Sequence, residues 1–271
     1  MEYTPEVLKK VQDKSIELML DMDHFFEKND IDYMISAGTA LGAVRHGGFI
    51  PWDDDVDFDM HIDDMKKLKK AYKKDAGFQK KYFLQNKRTD PNNPVQFWRI
   101  RMNGTTMMDK EALYIPLHWG IPVDIFPVFN APNSKLLRKV MLKIFSVSWR
   151  HCSYSFQKPN ASAIKKSAAS FAFEVEFSTL TIISNISKRT KFYYYPTGHG
   201  SSENRFIRRE VYFPTKRIEF EGHSFKCHHD IKEYLRITYG DYMTLPPKEQ
   251  RVSHQCYKID MENDYKKYVD Y

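Results

Sequence analysis

Leu8, Val11, Leu18, Met22, Phe25 and Phe26 recur at helical spacing behind Thr4-Pro5-Glu6, which supplies a cap, an early proline and an early acid. This pattern predicts a helix over residues 5–29. The period then drops to two. Residues 31–37 read as a strand, Gly38-Thr39 as a tight turn into a short helix, and His46-Gly47-Gly48 as a loop. Residues 55–60 alternate polar and apolar, and Asp63-Asp64 opens a Lys-rich helix to about Lys74. Further strands are expected over 82–85, 95–101, 105–109 and 121–126. From about Asn133 the spacing turns helical; a strand over 217–221 and a short helix over 230–239 follow. No repeat, low-complexity tract or flexible linker interrupts the chain. The expected fold is α+β: a mixed sheet with flanking helices over 1–132, a mostly helical insertion or extension over 133–214, and a segment over 215–271 that completes the first unit.

Composition narrows the class. The chain of 271 residues is 42% hydrophobic and 15% aromatic, which excludes a disordered polymer. Its longest runs free of Asp, Glu, Lys and Arg, residues 33–44 and 112–123, are 12 residues each, too short to span a bilayer. The first residues, MEYTPEVLKK, lack the apolar stretch of a secretory signal. Three cysteines, Cys152, Cys227 and Cys256, cannot all pair internally, as expected of a reducing cytoplasm. A net charge of +7 suits phosphate-rich or anionic partners without choosing among them.

The chemistry concentrates in Trp52-Asp53-Asp54-Asp55-Val56-Asp57-Phe58-Asp59-Met60. On a strand, residues two apart share a face, so Asp55 and Asp57 point one way while Val56, Phe58 and Met60 point the other. Like charges on one face call for a cation, and hard divalent ions take carboxylate oxygens. Two other readings compete. An EF-hand loop from Asp53 would place Asp64 at its twelfth position, but Phe58 stands where glycine is obligatory. A solvated acidic edge leaves the alternate apolar residues unexplained. Upstream, Ser36-Ala37-Gly38-Thr39 ends a strand and opens a helix, a turn whose backbone amides can hold phosphate. Downstream, Asp124 is a lone acid in a strongly apolar strand, where an unpaired charge is costly.

The run from Ala37 to Asp57, AGTALGAVRHGGFIPWDDDVD, resembles the signature of the LicD family, relatives of fukutin and fukutin-related protein. Arg99-Ile100-Arg101 with Thr105-Thr106, Val123-Asp124-Ile125-Phe126-Pro127, and Tyr239-Gly240-Asp241-Tyr242-Met243 with Pro246-Pro247 are weaker echoes of its later motifs. The resemblance covers residues 30–130 strongly and 215–250 moderately. It implies a nucleotidyltransferase-like fold and transfer of a phospho-alcohol from a CDP-activated donor to a glycan. CDP-choline is the favoured donor, and CDP-glycerol, CDP-ribitol and CDP-ethanolamine are alternatives. The acceptor would be a cell-surface glycan, a teichoic acid precursor or another lipid-linked polysaccharide. The resemblance further implies Mg²⁺, as two ions with Mn²⁺ as an alternative, held by Asp55, Asp57 and Asp124. Gly38, Thr39, Arg45, His46 and Arg101 become candidates for substrate contact.

Other features add smaller expectations. A choline cage could draw on Trp98, Trp119 or Tyr193-Tyr194-Tyr195, though aromatic clusters more often form core. Cys227-His228-His229 and His254 with Cys256 hold zinc-type ligands at no standard spacing. The helix from Lys135 to about Arg150 is basic and amphipathic, with apolar positions 136, 137, 140, 141, 144 and 145 in one stripe. That stripe either packs on the core or lies on an anionic membrane, which would place the protein at the inner face of the cell membrane. A non-catalytic module using its basic surface on nucleic acid is the contrasting class; no helix-turn-helix, RNP or finger motif supports it.

Overall fold

A computed structural model describes residues 4–110, 113, 115–143, 162–196, 205–254 and 256–269. Five strands lie side by side in the order β1 (Met34–Ile35), β2 (Asp57–His61), β6 (Pro122–Ala131), β4 (Trp98–Met102) and β3 (Tyr82–Gln85). β2 and β6 run parallel, and the other neighbours are antiparallel. β7 (Phe192–Tyr194) joins the far end of β6, and β8 (Phe206–Arg208) joins β7. Two hairpins stand apart, β9 (Lys216–Phe220) with β10 (His223–Cys227), and β5 (Thr106–Asp109) with β11 (Cys256–Asp260). The helices are α1 (Pro5–Lys28), α2 (Ala37–His46), α3 (Ile62–Lys74), α4 (Ala76–Lys81), α5 (residues 135–143), α6 (Ala163–Ile186), α7 (Arg209–Tyr212) and α8 (Ile231–Tyr239). The class is α+β, as expected.

Local chemistry accounts for most boundaries. The Thr4 hydroxyl accepts the Val7 N–H, and Val11, Leu18, Met22, Phe25 and Phe26 of α1 are buried. β1 is shorter than the expected strand because Ala37 takes a left-handed φ of 42°, which turns the chain into α2. Conversely, β6 runs past Pro127, where the sequence pattern stops. The Asp124 N–H bonds the Val56 carbonyl on the β2 side. By strand alternation the missing donor of Pro127 faces the other side. There β4 pairs only as far as Ile125 and β7 begins at Phe129, so no ladder bond is lost.

The structure decides among three sets of alternatives. β2 lies between β1 and β6 and is buried on both faces, so the acidic run is no solvated edge. Val56, Phe58 and Met60 enter the main core; Asp57 and Asp59 are buried opposite. The same run is a strand rather than a helix-flanked loop, which removes the EF-hand. Of the α5 stripe, Met141 is buried, while Leu136, Leu137 and Val140 are 71%, 53% and 44% exposed. Core packing therefore does not account for it, and positions 144–150 lie outside the described residues. Among the described residues no helix is long and apolar enough to cross a membrane.

α2 packs against the loop that follows it. A Cβ on Gly42 would lie 2.4 Å from the Gly48 carbonyl oxygen, and Gly47 ends the helix at φ 72°. Gly42→Ala should therefore lower stability by about 1–3 kcal/mol, as overpacking typically does, read as the shift in urea midpoint.

Candidate functional site

One rung of the sheet carries three charges. Asp57 pairs with Asp124 across β2 and β6, and Asp124 pairs with Arg99 across β6 and β4. Residues level on adjacent strands share a face, so the two carboxylates and the guanidinium meet on one side. Arg99 Nε donates to Asp124 Oδ1 at 2.7 Å and Nη2 to Oδ2 at 3.2 Å, a bidentate pair. Asp53, Asp54 and Asp55 arrive from the extended lead-in to β2. Gln12 of α1 holds that segment by donating to the Asp53 carbonyl at 2.9 Å.

The electrostatics are those of acids forced together. Burial pushes Asp57 well above the usual carboxylate range, and the charges of Asp55, Asp124 and Asp53 push it further. Burial and then Asp55 do the same to Asp53. Asp55 is raised by burial and by Asp124 and Asp54, against the opposing pull of His254. The exposed His254 comes from the residues before β11. Its Nδ1 lies 2.8 Å from Asp54 Oδ1, and this hydrogen bond, with the acids around it, lifts its pKa to about 9.

This donor set fits a hard cation. Asp54, Asp55 and His254 each offer a ligand atom, all within 4.8 Å of one another. Asp54 Oδ2 is buried with no hydrogen-bond partner. An ion bound by oxygens would offset the burial and the mutual repulsion that raise Asp53, Asp55 and Asp57.

The remaining expected residues divide. Gly38 touches the cluster, since a Cβ there would sit 2.8 Å from Asp53 Oδ2. The buried Thr39 hydroxyl accepts the Asp57 N–H at 2.9 Å, tying α2 to β2. Arg45 Nη1 donates to the Tyr242 carbonyl at 2.9 Å, and its Nε donates to His46 Nε2 at 3.0 Å. Arg101 is not brought to the carboxylates. Its Nε donates to Gln85 Oε1 at 2.6 Å and its Nη1 to the Gly120 carbonyl at 2.8 Å, and burial lowers its pKa to about 9. Arg99, not Arg101, is the guanidinium at the carboxylates. Both are two apart on β4, and only the register tells them apart. The zinc-type residues do not assemble: among the described residues, the one group of three ligand side chains contains no cysteine. Of the cage candidates, Trp119, Tyr193, Tyr194 and Tyr195 are core residues.

The α+β fold brings carboxylates of neighbouring strands to one face, and comparison with known proteins gives this arrangement a context. Residues 30–160 match the family described as LicD/FKTN/FKRP, nucleotidyltransferase domain. The lipopolysaccharide cholinephosphotransferase LicD of Haemophilus influenzae is 27% identical over 256 residues, 87% of this chain and 91% of that protein. The human ribitol 5-phosphate transferase FKRP is 37% identical over 51 residues, 19% of this chain and 10% of that protein.

His254 sets a pH dependence in the metal-free protein. A pKa raised in the fold contributes stability that is complete below the unfolded value of 6.5 and lost as pH rises through about 9. The raised pKa values of Asp53, Asp55 and Asp57 act in the same direction at lower pH, because ionising them in the fold is unfavourable. With a chelator present, the Tm should fall between pH 6.5 and 9. His254→Gln should flatten that fall in differential scanning fluorimetry; an unchanged slope would separate His254 from the acids.

Proposed function

We propose that the protein transfers a phospho-alcohol, with phosphocholine favoured, from a CDP-linked donor to a hydroxyl of a surface glycan or its lipid-linked precursor. The observation that carries this reading is the Asp57–Asp124 rung with Asp53 and Asp55 beside it, within the stretch that matches the LicD family. The relative named a cholinephosphotransferase favours choline, and the one named a ribitol 5-phosphate transferase keeps other alcohols in view.

In this reading Asp55, Asp57 and Asp124 hold Mg²⁺, which supplies charge neutralisation for the diphosphate. Arg99 fixes both Asp124 oxygens, so that carboxylate is oriented before substrate arrives. The acceptor hydroxyl attacks the phosphorus that bears the alcohol, and the bond from that phosphorus to the oxygen of CMP breaks. Asp55 is more open than Asp57 or Asp124, so its outer oxygen takes the hydroxyl proton. In the same reading Arg45 and His46, on the last turn of α2, contact a phosphate or sugar of the donor. The division into residues 1–132, 133–214 and 215–271 belongs to the same proposal, with the last segment contributing His254 to the site.

Asp57→Asn or Asp124→Asn should reduce transfer at least a hundredfold in folded protein. Calorimetry should show CDP-choline binding that chelator abolishes and that exceeds binding of CMP. Equal affinity for CMP, CDP-choline and CDP-glycerol would mean no alcohol pocket, and folded variants near wild-type turnover would end the assignment.

The exposed Leu136, Leu137 and Val140 beside Lys135, Lys139 and Lys143 favour peripheral contact with an anionic bilayer at the inner face of the cell membrane. Each cation adds on the order of 1 kcal/mol near such a surface. The protein should co-sediment with anionic vesicles at low salt and leave them at high salt. The Lys135/Lys139/Lys143→Gln triple variant should stay in the supernatant; sedimentation indifferent to it would exclude this helix.

A further inference from the structure

On β4, Trp98 and Arg99 point to opposite faces of the sheet. On the Trp98 side, away from the carboxylates, α3, the loop between β3 and β4, and α6 enclose a cavity of about 380 Å³. That volume falls within the ~300–1,000 Å³ typical of small-ligand sites. Its floor is apolar, formed by Met65, Val95, Trp98, Phe173 and Phe177. Four cations, Lys66, Lys69, Lys87 and Arg88, stand around it with one lining acid, Glu174.

The local pairings leave this rim positive. Arg88 lies 3.6 Å from Glu174 and Lys66 lies 2.8 Å from Asp63. Lys87 donates to the carbonyls of Pro91 and Asn93. Lys69 makes no ion pair among the described residues, and burial together with the Arg88 and Lys73 charges lowers its pKa. A positive rim over an apolar chamber is complementary to a negative head on an apolar tail. Asn86, Gln96 and Thr181 add polar groups to the lining, but the aromatic and aliphatic floor offers a flexible apolar tail the larger contact. The opening points the same way. Ser178 and Ile182 of α6 line the cavity on its outer side. Phe171, Val175 and Ile186 continue that exposed side of α6 as an uncharged apolar row, with Phe171 72% and Ile186 80% exposed. On a helix, residues 171, 175, 182 and 186 share one face.

We propose that this cavity binds a single-chain lipid anion, with its apolar tail against Trp98 and Phe177 and its phosphate or carboxylate head beside Lys69. The site is separate from the carboxylate cluster, and the proposal stands whether or not the transfer reading holds. It gives the protein a second ligand, drawn from a membrane, on the opposite face of the sheet.

The test is calorimetry on the full chain with decyl phosphate below its micellar concentration, alongside inorganic phosphate and decyltrimethylammonium. Decyl phosphate should bind at one site. Inorganic phosphate at the same concentration should neither bind nor displace it, which separates a lipid head from the free ion. Decyltrimethylammonium should bind at least tenfold more weakly. Lys69→Glu, which reverses the charge at the rim, and Ser178→Trp, which fills the mouth from an exposed position, should each weaken decyl phosphate at least tenfold. Both should keep the wild-type Tm and far-ultraviolet circular dichroism. The site is overturned by absence of decyl phosphate binding, by equal binding of decyltrimethylammonium, by displacement with inorganic phosphate, or by wild-type affinity in both folded variants.

Discussion

Asp57 and Asp124 stand level on parallel strands whose backbones are spaced about 4.8 Å apart. Two ionised carboxylates at such a distance repel by a few kcal/mol even in a partly polarisable surrounding. The acids do not choose this register. It follows from the opposite face of the same strands, where Phe58, Met60, Val123 and Ile125 are fully buried. A slip of one residue would turn those side chains outward and the carboxylates into the core. Apolar packing thus holds the acids in an arrangement that only a cation makes comfortable, and Arg99 supplies part of that charge from the next strand.

A second layer of polar contacts keeps the arrangement from relaxing. Asp59, two residues beyond Asp57, is fully buried and meets His228 at 3.2 Å. Tyr234 of α8 stacks on that imidazole with ring centroids 3.7 Å apart. Its hydroxyl accepts the Ala37 N–H at 3.1 Å, where the chain bends sharply into α2. Thr39, two residues on, ties α2 back to the Asp57 backbone. The glycine-rich start of α2 and the acid strand are therefore clamped to each other and to the C-terminal part of the chain.

Much of this was legible in the sequence, for identifiable reasons. Alternation at strand period put Asp55 and Asp57 on one face, and the isolation of Asp124 in an apolar run marked it as a partner. Each of those signals is local. The bidentate role of Arg99 was hidden, because Arg99 and Arg101 share a parity and only strand register separates them. Pro127 cut the expected strand short because local pattern says nothing of a gap between two neighbouring strands. The pairing of Asp59 with His228 spans 169 positions and leaves no mark in either neighbourhood. The double burial of β2 was likewise hidden, because polar residues covered by another segment read as polar residues facing water.

His254 meets Asp54 across 200 positions, delivered by the strand that returns to pair with β5. A ribosome releases the acids long before it releases that imidazole, and nascent domains begin to fold from their N-terminal side. During synthesis the sheet can close around its carboxylates while their late counter-charge is still unmade. The cluster is therefore finished from the far end of the chain, and a product stalled before residue 254 carries the acids without the group that steadies them.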